Sequence, residues 1–154
     1  MSSVLSTFYT NIYNSIIPNS TITNTKLNEN DVYNRDMPLE LRKETVNQLK
    51  IKYPNKIPII VEAINNVNGK NNTTPKITKN KFLASPETTV GHFIYEMRKY
   101  MNIGNHPDIS IFIYISKKGI IPSSNIPIGH IYNLYKEDDG ILVIYYSGES
   151  TFGK

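Results

Sequence analysis

Apolar positions along the chain follow two periods. Val90, Phe93, Ile94, Met97 and Met101 recur at helical spacing, with Thr88 or Thr89 placed to cap the amino end. Upstream, Asp36 precedes Met37 and Pro38, a cap and a proline where helices start. Val46, Leu49 and Tyr53 then fall on one helical stripe, which Pro54-Asn55 ends. Strand spacing governs much of the rest. Ile57, Ile59 and Val61 alternate with Pro58, Ile60 and Glu62. Pro58 has no N–H to give, so its N–H side is expected to face outward or to lie at a bulge. Lys79 to Ala84 reads as a second short strand. Ile109, Ile111, Ile113 and Ile115 alternate with Ser110, Phe112 and Tyr114 in a third. A loop with Gly119 and Pro122 leads to a short helix near Ile128–Leu134. Asp138-Asp139-Gly140 makes a turn into Ile141–Tyr146, which is apolar on both faces, as central strands are. One helix lying across a four-strand mixed sheet is an α+β arrangement, and the β-grasp fits this order.

Two polar stretches interrupt the pattern. Residues 1–32 are rich in Ser, Thr and Asn, hold no period, and read as a flexible amino-terminal extension to a domain spanning 33–154. Asn65 to Lys76, with Gly69, two Asn pairs and Pro75, reads as a long loop. A chain of 154 residues with 39% hydrophobic residues suits one domain plus an extension. It has no cysteine, which excludes a disulfide framework, a catalytic thiol and a Cys-based zinc site. Its longest apolar runs are too short to span a bilayer, so a membrane role requires an added anchor. The first 17 residues lack the features of a signal or transit peptide.

Charge adds little: 17 basic against 13 acidic residues, net +4, with no basic block interleaved with aromatics. His92, His106 and His130 have no metal-ligand spacing, and Asp138-Asp139-Gly140 lacks the other ligands of a calcium loop, so no metal or other cofactor is expected. No P-loop, dinucleotide fingerprint or nucleophile elbow appears, and no acid, base and nucleophile set points to an enzyme.

Several separate runs carry a resemblance. Lys52-Tyr53-Pro54-Asn55-Lys56-Ile57-Pro58-Ile59-Ile60-Val61-Glu62 resembles the first-strand signature of the autophagy ubiquitin-like modifiers, the GABARAP and light-chain-3 family. Lys81-Phe82-Leu83, Thr89-Val90-Gly91-His92-Phe93 and Arg98-Lys99 resemble its second strand and central helix. Lys136 to Gly140 and Tyr146 to Gly153 resemble its carboxyl end, and Pro38-Leu39-Glu40 with Arg42-Lys43 is similar to its amino-terminal helices. The resemblance covers about residues 33–154. It implies a ubiquitin-like β-grasp with two additional amino-terminal helices, made as a precursor. A processing cysteine protease trims the chain to its terminal glycine. Activating and conjugating enzymes then carry that glycine as thioesters to phosphatidylethanolamine on the autophagosomal membrane, where the modifier recruits receptors with aromatic-x-x-aliphatic motifs.

On this sequence the conjugated residue is Gly153, with cleavage between Gly153 and Lys154. The residues agree with that chemistry. The tail lies past the last strand and can enter a partner's groove. A glycine carbonyl is open to close approach by a thiol that the partner supplies. Motif peptides are expected to add as a strand beside the second strand. The resemblance assigns the aromatic pocket to Leu49, Pro58, Ile60, Lys81, Leu83 and Ile141, and the aliphatic pocket to Phe82, Ala84, Phe93 and Met97. Lys56 and Lys79 are placed to attract acidic flanks, and Phe112 and Tyr114 correspond to aromatics recognised by processing and conjugation enzymes. Core packing is the plainer role for Ile60, Leu83, Phe93 and Met97, and sheet packing for Phe112 and Tyr114.

The sequence departs from the family at Glu96, Thr88, Ser85-Pro86 and Ile141, which implies a more polar second pocket. Tyr9 to Ile12 and Tyr13 to Ile16 match the motif spacing without acidic neighbours. Two other readings stand beside conjugation. An unconjugated ubiquitin-like peptide-binding module would keep the groove and tolerate loss of Gly153. A basic nucleic-acid binder would show a contiguous basic stripe and steep salt dependence.

Overall fold

The computed structural model describes residues 33–64, 74–103, 109–116 and 118–148. The elements in chain order are α1 (Leu39–Lys52), β1 (Ile57–Ala63), β2 (Lys81–Ala84), α2 (Val90–Arg98), β3 (Phe112–Tyr114), α3 (Ile128–Tyr135) and β4 (Leu142–Ser147). The sheet order is β2-β1-β4-β3. β1 and β4 run parallel at the centre, and each outer strand is antiparallel to its neighbour. This is the expected mixed β-grasp sheet. One of the two expected amino-terminal helices, α1, lies among the described residues.

β4 is buried along its whole length, which its two-sided apolar pattern requires of a central strand. Pro58 is buried. It is tolerated because pairing of β1 with β4 begins one residue later, at Ile59↔Leu142, so Pro58 removes no bond from that ladder.

Alternation divides the apolar residues between two cores. Ile57, Ile59, Val61, Ile113, Leu142, Ile144 and Tyr146 pack against Val90, Phe93 and Met97 of α2 and Ile128 and Ile131 of α3. Ile60, Tyr114, Val143 and Tyr145 point to the other face, where they meet Tyr33, Val46 and Ile141. The sheet is therefore covered on both sides.

Several element boundaries differ from the pattern. α1 is capped by Pro38, not Asp36, and no side chain caps it. The residues that bury it are Leu41 and Val46, whereas Tyr53 is exposed. On α2, Thr89 is the cap, its hydroxyl accepting from the His92 amide at 3.2 Å. β2 begins at Lys81 rather than Lys79. β3 is only three residues long, although Ile113 and Ile115 are buried in the core and Ile109 and Ile111 pack against it, as their alternation implied.

Candidate functional site

β2 lies at an edge of the sheet, and successive residues of a strand point to opposite faces. Pro58 pairs with Leu83 and Ile60 with Lys81, so these four share the face that α1 covers. Leu49 and Lys81 are half-buried there and Leu83 is exposed, around a floor formed by buried Pro58, Ile60 and Ile141. The residues assigned to the aromatic pocket thus include both a buried floor and an accessible rim.

Phe82 and Ala84 lie on the opposite face. The Phe82 ring meets Phe93 edge-on at 5.5 Å and Tyr100 at 5.6 Å. Ala84, Phe93 and Met97, assigned to the aliphatic pocket, belong to the main core, and Met97 is 0% exposed. The apolar stripe of α2 that carries Phe93 and Met97 faces the sheet. Phe82 is the accessible member of that set. Glu96 adjoins this stripe at the surface, where its carboxylate pairs with Lys99 at 2.9 Å and lies 3.8 Å from His92. The hydrogen bond that Lys99 donates to Glu96 raises the Lys99 pKa.

The two lysines bracket β2. Lys56 donates to Ser85 Oγ at 2.8 Å beyond its carboxyl end. At its amino end, Lys79 stands 5.2 Å above the Phe82 ring and 4.9 Å above Tyr100. The Ser85-Pro86 turn is held by the Gly129 amide, which donates to the Pro86 carbonyl at 2.8 Å. A Cβ at Gly129 would stand 2.9 Å from the Pro86 Cβ, so only glycine permits this approach.

The other candidate region is the origin of the carboxyl tail. Gly153 and Lys154 lie outside the described residues, as do residues 1–32 with their two motif-like runs, residues 65–73 of the long loop, and His106. The strand leading to the tail ends at Ser147. Phe112 pairs with Ser147 across the β3–β4 ladder, which puts its partly buried ring beside the tail's origin. Tyr114, assigned with Phe112 to recognition by processing and conjugation enzymes, is 0% exposed and packs in the sheet. Alternation sends its ring under Tyr33, Val46 and Tyr145.

One cluster escaped the sequence reading. Asp139, taken there only as a turn residue, is 4% exposed. It accepts from the Tyr33 hydroxyl, from Arg42 Nη1 at 3.3 Å and from the Ile141 amide at 2.9 Å. Burial, and then Asp139, push the Tyr33 pKa up. Beside it, Arg35 donates to Glu62 at 2.7 Å and to Glu137 at 3.4 Å. Tyr132 donates to the Gly140 carbonyl at 2.9 Å, and Gly140 itself has φ +90 and lies against Val46. The Asp-Gly pair signalled a turn, but partners 97 and 106 residues away in sequence leave no local trace.

Comparison with known proteins places this geometry. The family described as "Autophagy protein Atg8 ubiquitin like" matches residues 41–153. "Autophagy-related protein 8" of Dictyostelium discoideum is 38% identical over 121 residues, covering 79% of this chain and 93% of that protein. "Autophagy-related protein 8d" of Arabidopsis thaliana is 36% identical over 121 residues, with the same coverage. Among solved structures, Trypanosoma brucei ATG8 is similar at TM-score 0.63 and 27% identity, covering 85% of this chain and 100% of that one. Plasmodium falciparum Atg8 in complex with a Plasmodium falciparum Atg3 peptide is similar at TM-score 0.61 and 29% identity, covering 75% and 94%.

Proposed function

Because the chain belongs to the Atg8 family of autophagy ubiquitin-like proteins, we propose that it is a modifier cut after Gly153 and joined through that glycine to phosphatidylethanolamine. The observation that carries this reading is the extent of the family match, which runs to residue 153 and so includes the glycine itself. A cysteine protease releases Lys154. Activating and conjugating enzymes pass the new carboxyl group to the lipid amine. The Atg3 peptide held by the Plasmodium falciparum relative supports a conjugating enzyme among the partners. Phe112, beside the tail's origin, is the aromatic we assign to recognition by these enzymes.

No helix among the described residues is long and apolar enough to cross a membrane. The lipid supplies the anchor, and its two acyl chains give durable attachment where one would not. The protein then divides between the cytoplasm and the autophagosomal membrane, with residues 1–32 as an extension to the 33–154 domain.

Once attached, the edge of β2 recruits receptors. Side chains three apart on an extended strand point to opposite faces. An aromatic-x-x-aliphatic peptide added to β2 therefore sends its aromatic residue toward Leu49, Lys81 and Leu83 and its aliphatic one toward Phe82, and the two-faced edge supports that mode. Lys56 and Lys79 attract acidic flanks at either end.

Intact mass of the protein from its own cells tests the conjugation, wild type beside Gly153→Ala. Wild type is expected to lose Lys154 and gain a phospholipid, and the variant to do neither. Wild type that retains Lys154 and stays unmodified under starvation would sink the reading in favour of an unconjugated peptide-binding module.

A further inference from the structure

Parallel pairing of β1 with β4 brings their carboxyl ends together, with Ala63 opposite Tyr146. The chain leaving β1 and the chain leaving β4 therefore start from the same corner of the sheet. Three hydrogen bonds tie them there. The Ile64 amide donates to the Tyr146 carbonyl at 2.8 Å. The Tyr146 hydroxyl donates to the Pro75 carbonyl at 2.8 Å, in a buried setting. The Gly148 amide donates to Thr74 Oγ1 at 3.3 Å. Both ends of the β1–β2 connection are thus fastened to the last residues before the tail.

Neither ordinary sheet pairing nor core packing requires the second and third of these bonds. Tyr146 is 1% exposed and its ring already sits in the core, while its hydroxyl reaches beyond the ladder to the Pro75 carbonyl and the Ile77 backbone. Gly148 lies beyond β4, so its amide has left the ladder and takes a side-chain acceptor instead. Ser147, between them, is 0% exposed and 3.4 Å from the Tyr114 hydroxyl. The chain is held residue by residue up to Gly148. Only residues 149–152 separate that point from the conjugated glycine, a reach over five residue steps of at most about 18 Å. A tail this short presents its glycine to a catalytic thiol only if its starting point and direction are set.

We propose that Thr74 and Tyr146 are positioning residues for the tail. Through Gly148 and Pro75 they fix where the tail leaves the domain, so that partners gripping Phe112 also receive Gly153. This rests on the reading of Gly153 as the cleaved and conjugated residue. The β1–β2 connection thereby gains a part in processing.

The test is steady-state cleavage of the full chain by the processing protease of its own cells, following release of Lys154. Thr74→Val, Thr74→Ser, Tyr146→Phe and Gly153→Ala are compared with wild type, and amide hydrogen exchange is read at Gly148. Thr74→Val and Tyr146→Phe are expected to raise KM at least threefold with kcat unchanged, and to speed Gly148 exchange about tenfold. Thr74→Ser, which keeps the acceptor, should match wild type in both. A wild-type KM in Thr74→Val and Tyr146→Phe overturns the proposal while leaving the Gly153 reading intact, and so does a Thr74→Ser variant as impaired as Thr74→Val. Cleavage of Gly153→Ala at the wild-type rate, or no cleavage of wild type, removes the underlying reading and the clamp with it.

Discussion

The two faces of the sheet are built on different terms. The face under α2 and α3 is closed mainly by apolar side chains, with Ile59, Val61, Met97, Leu142 and Ile144 at 1% exposure or less. Burial of that kind stabilises by roughly 1.5–3 kcal/mol for each large side chain and needs no particular partner. The face under α1 has fewer apolar residues, and α1 itself buries only Leu41 and Val46. Here polar ties complete the closure: Tyr33 and Arg42 converge on Asp139, and Arg35 bridges Glu62 and Glu137. A buried carboxylate is costly unless its acceptor sites are filled, so the second face holds only while the chain around residues 33–42 is in place. The difference teaches that α2 belongs to the core, whereas α1 is attached to it.

The largest effect expected from breaking this contrast is on the apolar face. Met97→Ala should cost about 2–5 kcal/mol in chemical denaturation, because the fully buried site cannot collapse around the space left behind. A loss near zero would mean that α2 is less integral than its packing indicates.

On the other face, Asp139→Ala removes the acceptor of three donors at once. Breaking a buried ion pair costs about 3–5 kcal/mol, and the Arg42 side chain is 19% exposed, so a loss of roughly 2–3 kcal/mol is expected. Hydrogen exchange separates the faces: amides of α1 should lose protection well before those of α2. Uniform loss across both helices would erase the distinction between them.

Tyr33→Phe takes away one hydrogen bond and should cost about 1 kcal/mol. It also carries a pH signature. Burial and Asp139 hold the Tyr33 pKa above its value in the unfolded chain, which is near 10. The folded state therefore keeps this proton after the unfolded state has lost it. The stabilisation is complete below pH 10 and declines as pH rises beyond it. Burial shifts Tyr146, on the apolar face, in the same direction. The Phe variant should show a shallower alkaline loss than wild type, measured by denaturation at stepped pH, and an unchanged slope would refute the role of Tyr33.

The smallest effect concerns docking rather than stability. Glu96→Leu should change stability by no more than about 0.5 kcal/mol, since the side chain is at the surface. It should tighten an aromatic-x-x-Leu peptide about fivefold in titration calorimetry by returning an apolar wall to the α2 side of β2. Leu83→Ala, on the α1 side, should weaken the same peptide by a similar factor. Equal responses to both changes at the aromatic position of the peptide would mean that the two sides are not read separately.

The sequence by itself determined the element order, the mixed sheet and the face on which each strand residue lies. Period-two alternation at Ile57–Glu62 and Ile109–Ile115 and the helical stripe from Val90 to Met97 are local signals, and local sterics and burial enforce them. Its motifs also identified the family, which the match over residues 41–153 shows. Tertiary structure alone decided which apolar positions are reachable. Met97 and Leu83 both read as apolar site candidates, yet one is sealed at 0% and the other lies open at 40%, because the first sits in the core between helix and sheet and the second on an edge strand. It also decided the partners of Asp139 and of Tyr146. Those bonds join residues 71 to 106 positions apart, and contacts so distant depend on how the whole chain closes rather than on any pattern within a segment.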